Sequence, residues 1–455
     1  MSTLHAVGPL LALLSCCGLA VAQSWSTFAG ASPPGGFRAG LAFDSSRGRV
    51  VVFGGAISEF LATDETWEFD GNAWTRLFPT NSPSPRTAHS MAYDAWRHRL
   101  VMWGGTDFTF PTVFRNDTWE FDGTTWTQVV TANRPAPRFG AGMAFDVRRR
   151  RMVLFGGFAS GTTFGDTWEY DGVDWLQRMP ATLPAARSDL TMFYDTVRNV
   201  VGMWGGAISG PTISNDYWEW DGTDWSLMPT LNPPPGRPYQ KTVFDSERGV
   251  LLVLNGQTWE YDGRLGTWTN VQAPLPFLYN PLGTVPAFDV ERGRPVVTTQ
   301  TSFFQQFLTA EFVPPSTPTW AQYGYGCAGS AGEPVLSAPL GASPALGSTL
   351  PLGIAPLPPN PGLAVFEFGF GLGSFQGAPL PLEIASLGSG CELWIEPAGV
   401  AFAVLHGGGS ASLALQIPAL PAFAGQRFVV QAAILDPQAG NGIGVVTNAG
   451  IARTW

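Results

Sequence analysis

The chain is poor in charge and nearly devoid of lysine. Charged residues make up 13% of the 455 positions, the formal net charge is −10, and Lys241 is the only lysine. Proteins that bind nucleic acids usually carry clustered positive charge, which this composition does not provide. The lysine deficit itself is interpreted as a coding bias. The sequence therefore predicts no nucleic-acid partner.

Cysteine and histidine are scarce as well. The sequence has four cysteines, of which Cys16 and Cys17 lie in an apolar N-terminal run. The remaining Cys327 and Cys391 form an even pair, which in an exported protein is most simply one disulfide. Zinc-ligand spacings and a serine nucleophile elbow are missing from the sequence. We therefore predict no metal and no cofactor.

Long apolar runs are missing beyond the N-terminus. Residues 10–22 end in Ala20-Val21-Ala22, which resembles a signal-peptidase site, so residues 1–22 are predicted to be a signal peptide. The expected location is secreted or in the cell envelope. The sequence around Cys16 also fits a loose lipoprotein box, which leaves a lipid anchor as an alternative. No later stretch is long enough for a transmembrane helix.

What the sequence does contain is a repeat of roughly 50 residues. Each unit has an arginine, an apolar strand ending in aromatic-Asp, an arginine-rich turn, and a β-branched strand that runs into Gly-Gly or Asn-Gly. A Trp-Glu-aromatic-Asp-Gly hairpin follows, as in residues 116–126. The arginines taken to open the units are Arg38, Arg86, Arg138, Arg187 and Arg237.

The local physics of the repeat points to small sheets that stack around an axis. Apolar runs such as residues 49–53 suit strands that are buried on both faces. Asp-Gly between aromatic strands is a strong hairpin signal, because glycine readily adopts the positive backbone angle of the turn. A single four-stranded unit cannot cover its own apolar faces, whereas neighbours around a ring can. Tryptophan, at roughly 150–250 Å² each, is expected at these contacts.

The repeated Gly-Gly with a downstream tryptophan resembles the kelch family and, more loosely, the propeller domain of galactose oxidase. The resemblance covers about residues 24–323 and implies an all-β, six-bladed propeller, assigned here to residues 23–323. The sixth unit is degenerate, with first strands near Phe288-Asp289. Its fourth strand is either the segment around Trp25 or the segment around Trp320, and we favour the N-terminal one.

Residues 324–455 differ in composition, with few charged residues and with short apolar runs that are interrupted by Pro and Gly. They predict a small β-sandwich or jelly roll. Segments such as 325–330 and 390–393 resemble a C-terminal module of exported proteins from planctomycete-type bacteria. A stabilising accessory domain is the favoured role, and a surface or sorting module is the alternative.

The two ends of the predicted propeller differ in variability. On one end, here called the turn face, lie the first-to-second turns and the Asp-Gly turns. Their Arg and Asp residues predict a solvated ring of ion pairs, with an anion site as the alternative. On the other end, the loop face, the second-to-third loops vary in length and carry aromatic residues.

Variable loops on a rigid scaffold are where binding sites are usually built. We therefore predict a ligand site on the loop face, a glycan or an extracellular protein being the expected ligand. The alternative is that these aromatics pack beneath their own loops. The candidate residues are Phe60, Phe108, Phe110, Phe114, Phe158, Phe164, Ile208 and Asp189, the last replacing small residues of the other first strands.

Catalysis has weaker support. The glutamates Glu68, Glu120, Glu169, Glu219 and Glu260 recur in every blade and are expected to pair with the unit-opening arginines. A galactose-oxidase-like copper site fails, because the predicted propeller has only His89 and His98 and no cysteine. Asp107, Asp117 and Asp166 could supply oxygen ligands to calcium, but their spacing is not that of an EF-hand. A role in turns is therefore favoured for these residues.

The sequence therefore predicts an exported, non-enzymatic binding or scaffold propeller. A carbohydrate-active hydrolase or lyase with carboxylates in the channel is one alternative. A structural envelope protein without a discrete ligand is the other.

Overall fold

The computed structural model describes a central set of residues and, in the last third of the chain, mainly strands. The described residues are 24–28, 33, 37–58, 61–107, 112–208, 212–236, 241–263, 265–271, 273, 285–290, 292–300, 307–313, 319–323, 331, 334–337, 345, 348–359, 362–371, 374–375, 378–379, 382–383, 392–393, 396–406, 408–416, 427–436, 444–447 and 449–453. All regular secondary structure within these ranges is β-strand. Among them there is accordingly no helix with the length and apolarity needed to cross a membrane. The predicted signal peptide, residues 1–22, and both Cys327 and Cys391 lie outside the described residues.

Six antiparallel sheets of four strands each follow the repeat in the described part of the chain. From the innermost strand outward they are Gly40–Asp44, Arg49–Phe53, Thr66–Phe69 and Trp74–Leu77 in blade 1; Ser90–Asp94, Arg99–Trp103, Thr118–Phe121 and Trp126–Val129 in blade 2; Gly142–Asp146, Arg151–Phe155, Thr167–Tyr170 and Trp175–Arg178 in blade 3; Thr191–Asp195, Val200–Trp204, Tyr217–Trp220 and Trp225–Met228 in blade 4; Lys241–Asp245, Val250–Leu254, Thr258–Asp262 and Thr267–Asn270 in blade 5; and Val285–Asp289, Arg294–Gln300, Phe307–Val313 and Ser24–Phe28 in blade 6.

The ring of blades is closed by the N-terminal strand. Ser24–Phe28 pairs with Phe307–Val313 and completes blade 6, as favoured from the sequence. Each first strand contacts the first strands of the two neighbouring blades, blades 1 and 6 included. The indole of Trp25 donates to the Thr258 hydroxyl of blade 5 at 3.2 Å. Trp25 thus occupies the place that the fourth-strand tryptophans have in other blades.

The competing candidate for blade 6 belongs to another sheet. Thr319–Tyr323 pairs with Ala449–Arg453, so this strand lies in the C-terminal sheet although the sequence placed it in the propeller range. One C-terminal sheet contains Thr319–Tyr323, Ala449–Arg453, Arg427–Leu435, Gly362–Gly371, Glu396–His406 and Gly444–Val446, and the other contains Val335–Ser337, Thr349–Leu357 and Gly409–Gln416. Two short hairpins, Ser374–Phe375 with Ala378–Pro379 and Leu382–Glu383 with Glu392–Leu393, accompany them. Side chains of both sheets share one apolar core, Leu352 and Phe366 among them, which makes this part a β-sandwich.

The second strands and the tryptophans hold neighbouring blades together. Val50 and Leu154 are fully buried, because a second strand is covered on both faces by adjacent blades. In blades 1 to 4, the fourth-strand indole reaches back to a third-strand threonine of the preceding blade. The pairs are Trp74 to Thr309 at 2.8 Å, Trp126 to Thr66 at 3.0 Å, Trp175 to Thr118 at 2.9 Å and Trp225 to Thr167 at 2.9 Å.

A repeated cluster of ion pairs lies at the turn face of each described blade. In each of the six described blades, one turn arginine bridges the aspartate that ends the first strand and the glutamate of the third strand. The sets are Arg47 with Asp44 and Glu68, Arg97 with Asp94 and Glu120, Arg149 with Asp146 and Glu169, Arg198 with Asp195 and Glu219, Arg248 with Asp245 and Glu260, and Arg292 with Asp289 and Glu311.

These clusters correct two expectations. The glutamates pair with the turn arginines and not with the unit-opening ones, because the turn places a guanidinium between two carboxylates of its own blade. The ring is also not freely solvated, since the aspartates are buried and the arginines are 10 to 29% exposed. Arg47 in addition lies 5.7 Å from the ring centroid of Phe121 in the next blade, which joins the blades.

The unit-opening arginines of blades 2 to 4 are buried inside the blades. Arg138 donates from Nε to the Ala136 carbonyl at 2.9 Å and from Nη2 to Asp166 at 3.0 Å. Asp166 also accepts the Trp168 indole at 2.7 Å. Arg86 with Asp117 and Arg187 with Asp216 repeat the arrangement. Burial alone would raise the pKa of Asp166, but the Arg138 guanidinium lowers it below the ordinary value. These carboxylates therefore neutralise arginine and are not held for calcium.

Candidate functional site on the loop face

The loop face is built from segments that differ among the blades. Short strand pairs are formed by Ala56–Ser58 with Leu61–Ala62, by Phe158–Ala159 with Thr162–Thr163, and by Arg187–Ser188 with Ala207–Ile208. Blade 5 has only a tight turn, in which the Asn255 amide donates to the Gln257 carbonyl at 3.1 Å. Since the turn face repeats and the loop face does not, the loop face is the candidate for an individual binding surface.

At the centre of this face, Arg38 of blade 1 forms an ion pair with Asp189 of blade 4. Blades 1 and 4 are opposite each other in the ring, so this pair, here called the axial pair, spans the channel axis. Both side chains are largely buried, at 10% and 13% exposure. The oddity of Asp189 in the sequence is thereby explained by a partner 151 residues away.

The axial pair also corrects the alignment of the first unit. Arg38 lies six residues before Asp44, whereas Arg86 lies eight residues before Asp94, so Arg38 is equivalent to Ala88 rather than to Arg86. The residues at this position have positive φ: 56° at Arg38, 54° at Ala88, 64° at Gly140 and 53° at Asp189. The amides of Ala88, Gly140 and Asp189 each donate to the carbonyl of the equivalent residue in the preceding blade, at 2.7 to 2.9 Å.

These backbone bonds link blades 1 to 4 at the mouth of the channel. Glycine is favoured at position 140, because a Cβ atom would come within 2.9 Å of the Asp189 carboxylate at an already unfavourable φ. Lys241, which begins the first strand of blade 5, interacts electrostatically with both members of the axial pair. Burial lowers the pKa of its ammonium to about 8, although the Asp189 charge acts in the opposite direction. The mouth therefore carries charges of both signs in a sterically fixed arrangement.

Three phenylalanines, here called the aromatic row, adjoin the axial pair. Phe114 of blade 2 stacks on Phe139 of blade 3 at 6.0 Å, and Phe158 contacts Phe139 edge-on at 5.8 Å. The Arg38 guanidinium lies 5.2 Å from the centroid of Phe139. All three rings are half-buried. They are thus neither free on the surface nor hidden beneath a loop.

The predicted site residues have different environments. Phe114, Phe158 and Asp189 come together at the channel mouth. Phe164 instead lies over Arg138, whose guanidinium carbon is 3.6 Å from its ring centroid, and so packs within its own blade. Ile208 is half-buried in the short strand pair of blade 4. Phe60, Phe108 and Phe110 lie outside the described residues.

Two members of the site, Arg38 and Phe139, were missed from the sequence. Counting back from the first-strand aspartate would have separated Arg38 from the unit-opening arginines. Phe139 directly follows Arg138, where the second and fourth units have Thr87 and Ser188. The available signal was an aromatic that the first unit shares, as Phe37, and that the second and fourth units replace with a small polar residue.

Below the mouth, a cavity of about 290 Å³ occupies the channel and extends to the turn face. It is lined by the first strands of all six described blades and by the residues that follow them. Its described lining includes no aspartate or glutamate. Throughout the described part of the chain, no group of three or more His, Cys, Asp or Glu side chains is arranged to hold a metal ion.

Residues 19–177 match a family model described as the KLHDC2/KLHL20/DRC7 Kelch-repeats domain. The match spans the closing strand and blades 1 to 3. Together with the six sheets found in the described residues, it identifies the fold as an all-β, kelch-type propeller, to which a C-terminal β-sandwich is attached.

Proposed function

We propose that this propeller binds a protein segment through its loop face, at the axial pair and the aromatic row. One observation supports this most strongly: exposed aromatic surface and charge are combined where the blades differ. At the turn face, by contrast, every described blade pairs the same charges in the same way. Propellers of this kind usually bind proteins.

The chemistry of the mouth suits a peptide ligand. Half-buried phenylalanines beside an arginine resemble the groups that dominate protein interfaces, where aromatic and arginine side chains contribute most of the binding energy. The backbone bonds between blades 1 to 4 restrain this part of the mouth, which reduces the entropy lost on binding. Phe139 contacts both Phe114 and Phe158, so its ring is the centre of the surface.

An enzymatic function has no comparable support in the described residues. A carbohydrate-active hydrolase or lyase with carboxylates in the channel needs two of them on either side of the scissile bond. The described cavity lining has none, and the carboxylate of Asp189 is bound by Arg38. Binding is therefore the function that this geometry favours.

The proposal includes export, because the expected signal peptide would deliver the propeller to extracellular or envelope proteins. Sequencing the N-terminus of the protein recovered from its producing cell tests this point. Cleavage predicts a chain that begins at Gln23. A chain that still begins at Met1 would contradict export by this route, and a lipid-modified Cys16 would indicate the anchored alternative.

The binding site can be tested with a phage-displayed peptide library selected on the full protein. Peptides that bind are expected to lose at least about 30-fold in affinity with Phe139→Ala, as for a hot-spot residue. Phe78→Ala is the matched control, since Phe78 is 80% exposed at the end of a fourth strand. Unfolding curves would confirm that both variants are folded.

Three outcomes would contradict the proposal. Equal loss with Phe78→Ala would place the site elsewhere. Failure to enrich any peptide, together with binding on a glycan array, would mean that the ligand is a carbohydrate. Failure of both would favour a structural protein without a discrete ligand.

A further inference from the structure

The fourth strand of blade 3 departs from the repeat at two neighbouring positions. Leu176 directly follows Trp175 and is 59% exposed, whereas the other blades have serine or threonine there. Arg178 lies two residues further, where the other blades have a half-buried apolar residue. The equivalent pairs are Thr75 and Leu77, Thr127 and Val129, Ser226 and Met228, Thr269 and Val271, and Ser26 and Phe28. Because five blades fold without an exposed leucine and an arginine at these places, the fold does not require them.

Both departures line one cavity of about 310 Å³ near the turn face. The other side chains of the lining are charged, namely Arg149, Arg151, Glu169, Asp171 and Asp174. The cavity lies on the side of blade 3 that is turned toward blade 4, since Arg178 Nη2 donates to the Gly222 carbonyl at 3.1 Å. Small-molecule sites range over roughly 300–1,000 Å³. Two residues that the fold does not need therefore meet at a cavity of ligand size.

The polar groups of this cavity are held in place and are accessible. Arg178 Nε lies 3.3 Å from Glu169 Oε2, and 34% of the Arg178 side chain is exposed. The exposed carboxylate of Asp171 accepts two backbone amides of its own turn at 2.8 and 2.9 Å. Asp174 accepts the backbone amide of Asn133 at 2.8 Å and its side-chain amide at 2.7 Å. Donors and acceptors are thus fixed before a ligand arrives, which favours binding.

The charges of the lining restrict the ligand. Three arginines and three carboxylates balance, so an ion of either sign would lose hydration without a net opposite charge to replace it. An uncharged molecule with several hydroxyl groups suits the lining better, because each hydroxyl both accepts from a guanidinium and donates to a carboxylate. The exposed side chain of Leu176 adds an apolar contact for the C–H groups of such a molecule.

We propose that this cavity binds a neutral sugar unit of a glycan. Its hydroxyls accept from Arg178 and Arg151 and donate to Asp171, and its C–H face lies on Leu176. The cavity is near the turn face, whereas the proposed peptide site is on the loop face. The sugar site is therefore separate from the peptide site and does not depend on it.

Saturation-transfer difference NMR on the full protein tests this site. The probes are the methyl glycosides of glucose, mannose, galactose and N-acetylglucosamine, and at least one is expected to bind with millimolar affinity, as suits so small a ligand. Arg178→Val and Leu176→Thr introduce the residues that blade 2 has at these positions, so both variants should fold. Arg178→Val should weaken the bound glycoside at least about 10-fold, as for a lost charged hydrogen bond. Leu176→Thr should weaken it about 3-fold, through the lost apolar contact.

Thr127→Leu is the matched control, since it places an exposed leucine at the equivalent position of blade 2. It should leave the affinity unchanged, and thermal unfolding should show that all three variants are folded. Absence of saturation transfer to all four glycosides would overturn the ligand class. Unchanged affinity in Arg178→Val, or an equal loss in Thr127→Leu, would overturn the site. Neither result would affect the peptide site, whose test uses Phe139→Ala.

Discussion

Removing either member of the Arg138–Asp166 pair should destabilise the propeller, but by unequal amounts. Arg138 is 1% exposed, whereas Asp166 is 21% exposed. When Arg138→Met removes the guanidinium, the carboxylate can be hydrated, and methionine replaces much of the lost apolar volume. When Asp166→Ala removes the carboxylate, the buried guanidinium keeps its charge without a counter-ion.

The magnitudes follow from these environments. Loss of one partner of a buried ion pair costs about 3–5 kcal/mol when the other charge stays enclosed, which applies to Asp166→Ala. That variant also leaves the Trp168 indole without its acceptor at 2.7 Å. For Arg138→Met we expect about 2 kcal/mol, from the lost hydrogen bonds to Asp166 and the Ala136 carbonyl.

Chemical denaturation of both variants, followed by tryptophan fluorescence, gives the comparison. Because the chain has two parts, the shift of the propeller midpoint is the appropriate quantity. Arg49→Met is a control, since Arg49 is 36% exposed and should shift the midpoint little. A larger loss for Arg138→Met than for Asp166→Ala would refute the reasoning.

Two further predictions concern other buried groups. Trp225→Phe should cost about 1 kcal/mol more than Trp268→Phe, because Trp225 donates to Thr167, whereas the Trp268 indole has no partner among the described residues; equal midpoints would contradict this. In blade 4, Tyr217 replaces the threonine that Trp268 would reach. Burial lowers the pKa of His89 to about 3, so its unfolded form takes up a proton near pH 6.5 while its folded form stays neutral. The free energy of unfolding should therefore decrease as the pH is lowered from about 6.5 towards 3. His89→Phe should remove about 2 kcal/mol of the decrease between pH 7 and pH 5, as measured by denaturation at both pH values.

The architecture was accessible from the sequence because its signals are local and repeated. Asp-Gly turns mark blades 1 to 5 and Gly-Gly pairs mark blades 1 to 4, and the N-terminal strand was recognisable by Trp25. The strand around Trp320 carries a similar signature, and its pairing with Ala449–Arg453 depends on residues more than a hundred positions away. Such a partner has no local signal.

The candidate site was less accessible because it depends on contacts between blades. Arg38 was aligned by residue type with Arg86, although its distance from Asp44 differs by two residues. The pairing of Glu68 with Arg47 rather than with a unit-opening arginine depends on side-chain reach across a turn. The position of Phe139 beside Arg38 requires three blades to be assembled first.

The location of the ligand is the central claim, and photo-crosslinking tests it most directly. A library-selected peptide that carries a benzophenone group would be irradiated on the full protein, and the attachment sites would be read by mass spectrometry. Crosslinks to the loop face, in segments 112–115, 139–140 and 158–164, are the predicted result. Crosslinks concentrated at the Asp-Gly turns, 122–125 and 171–174, would contradict it.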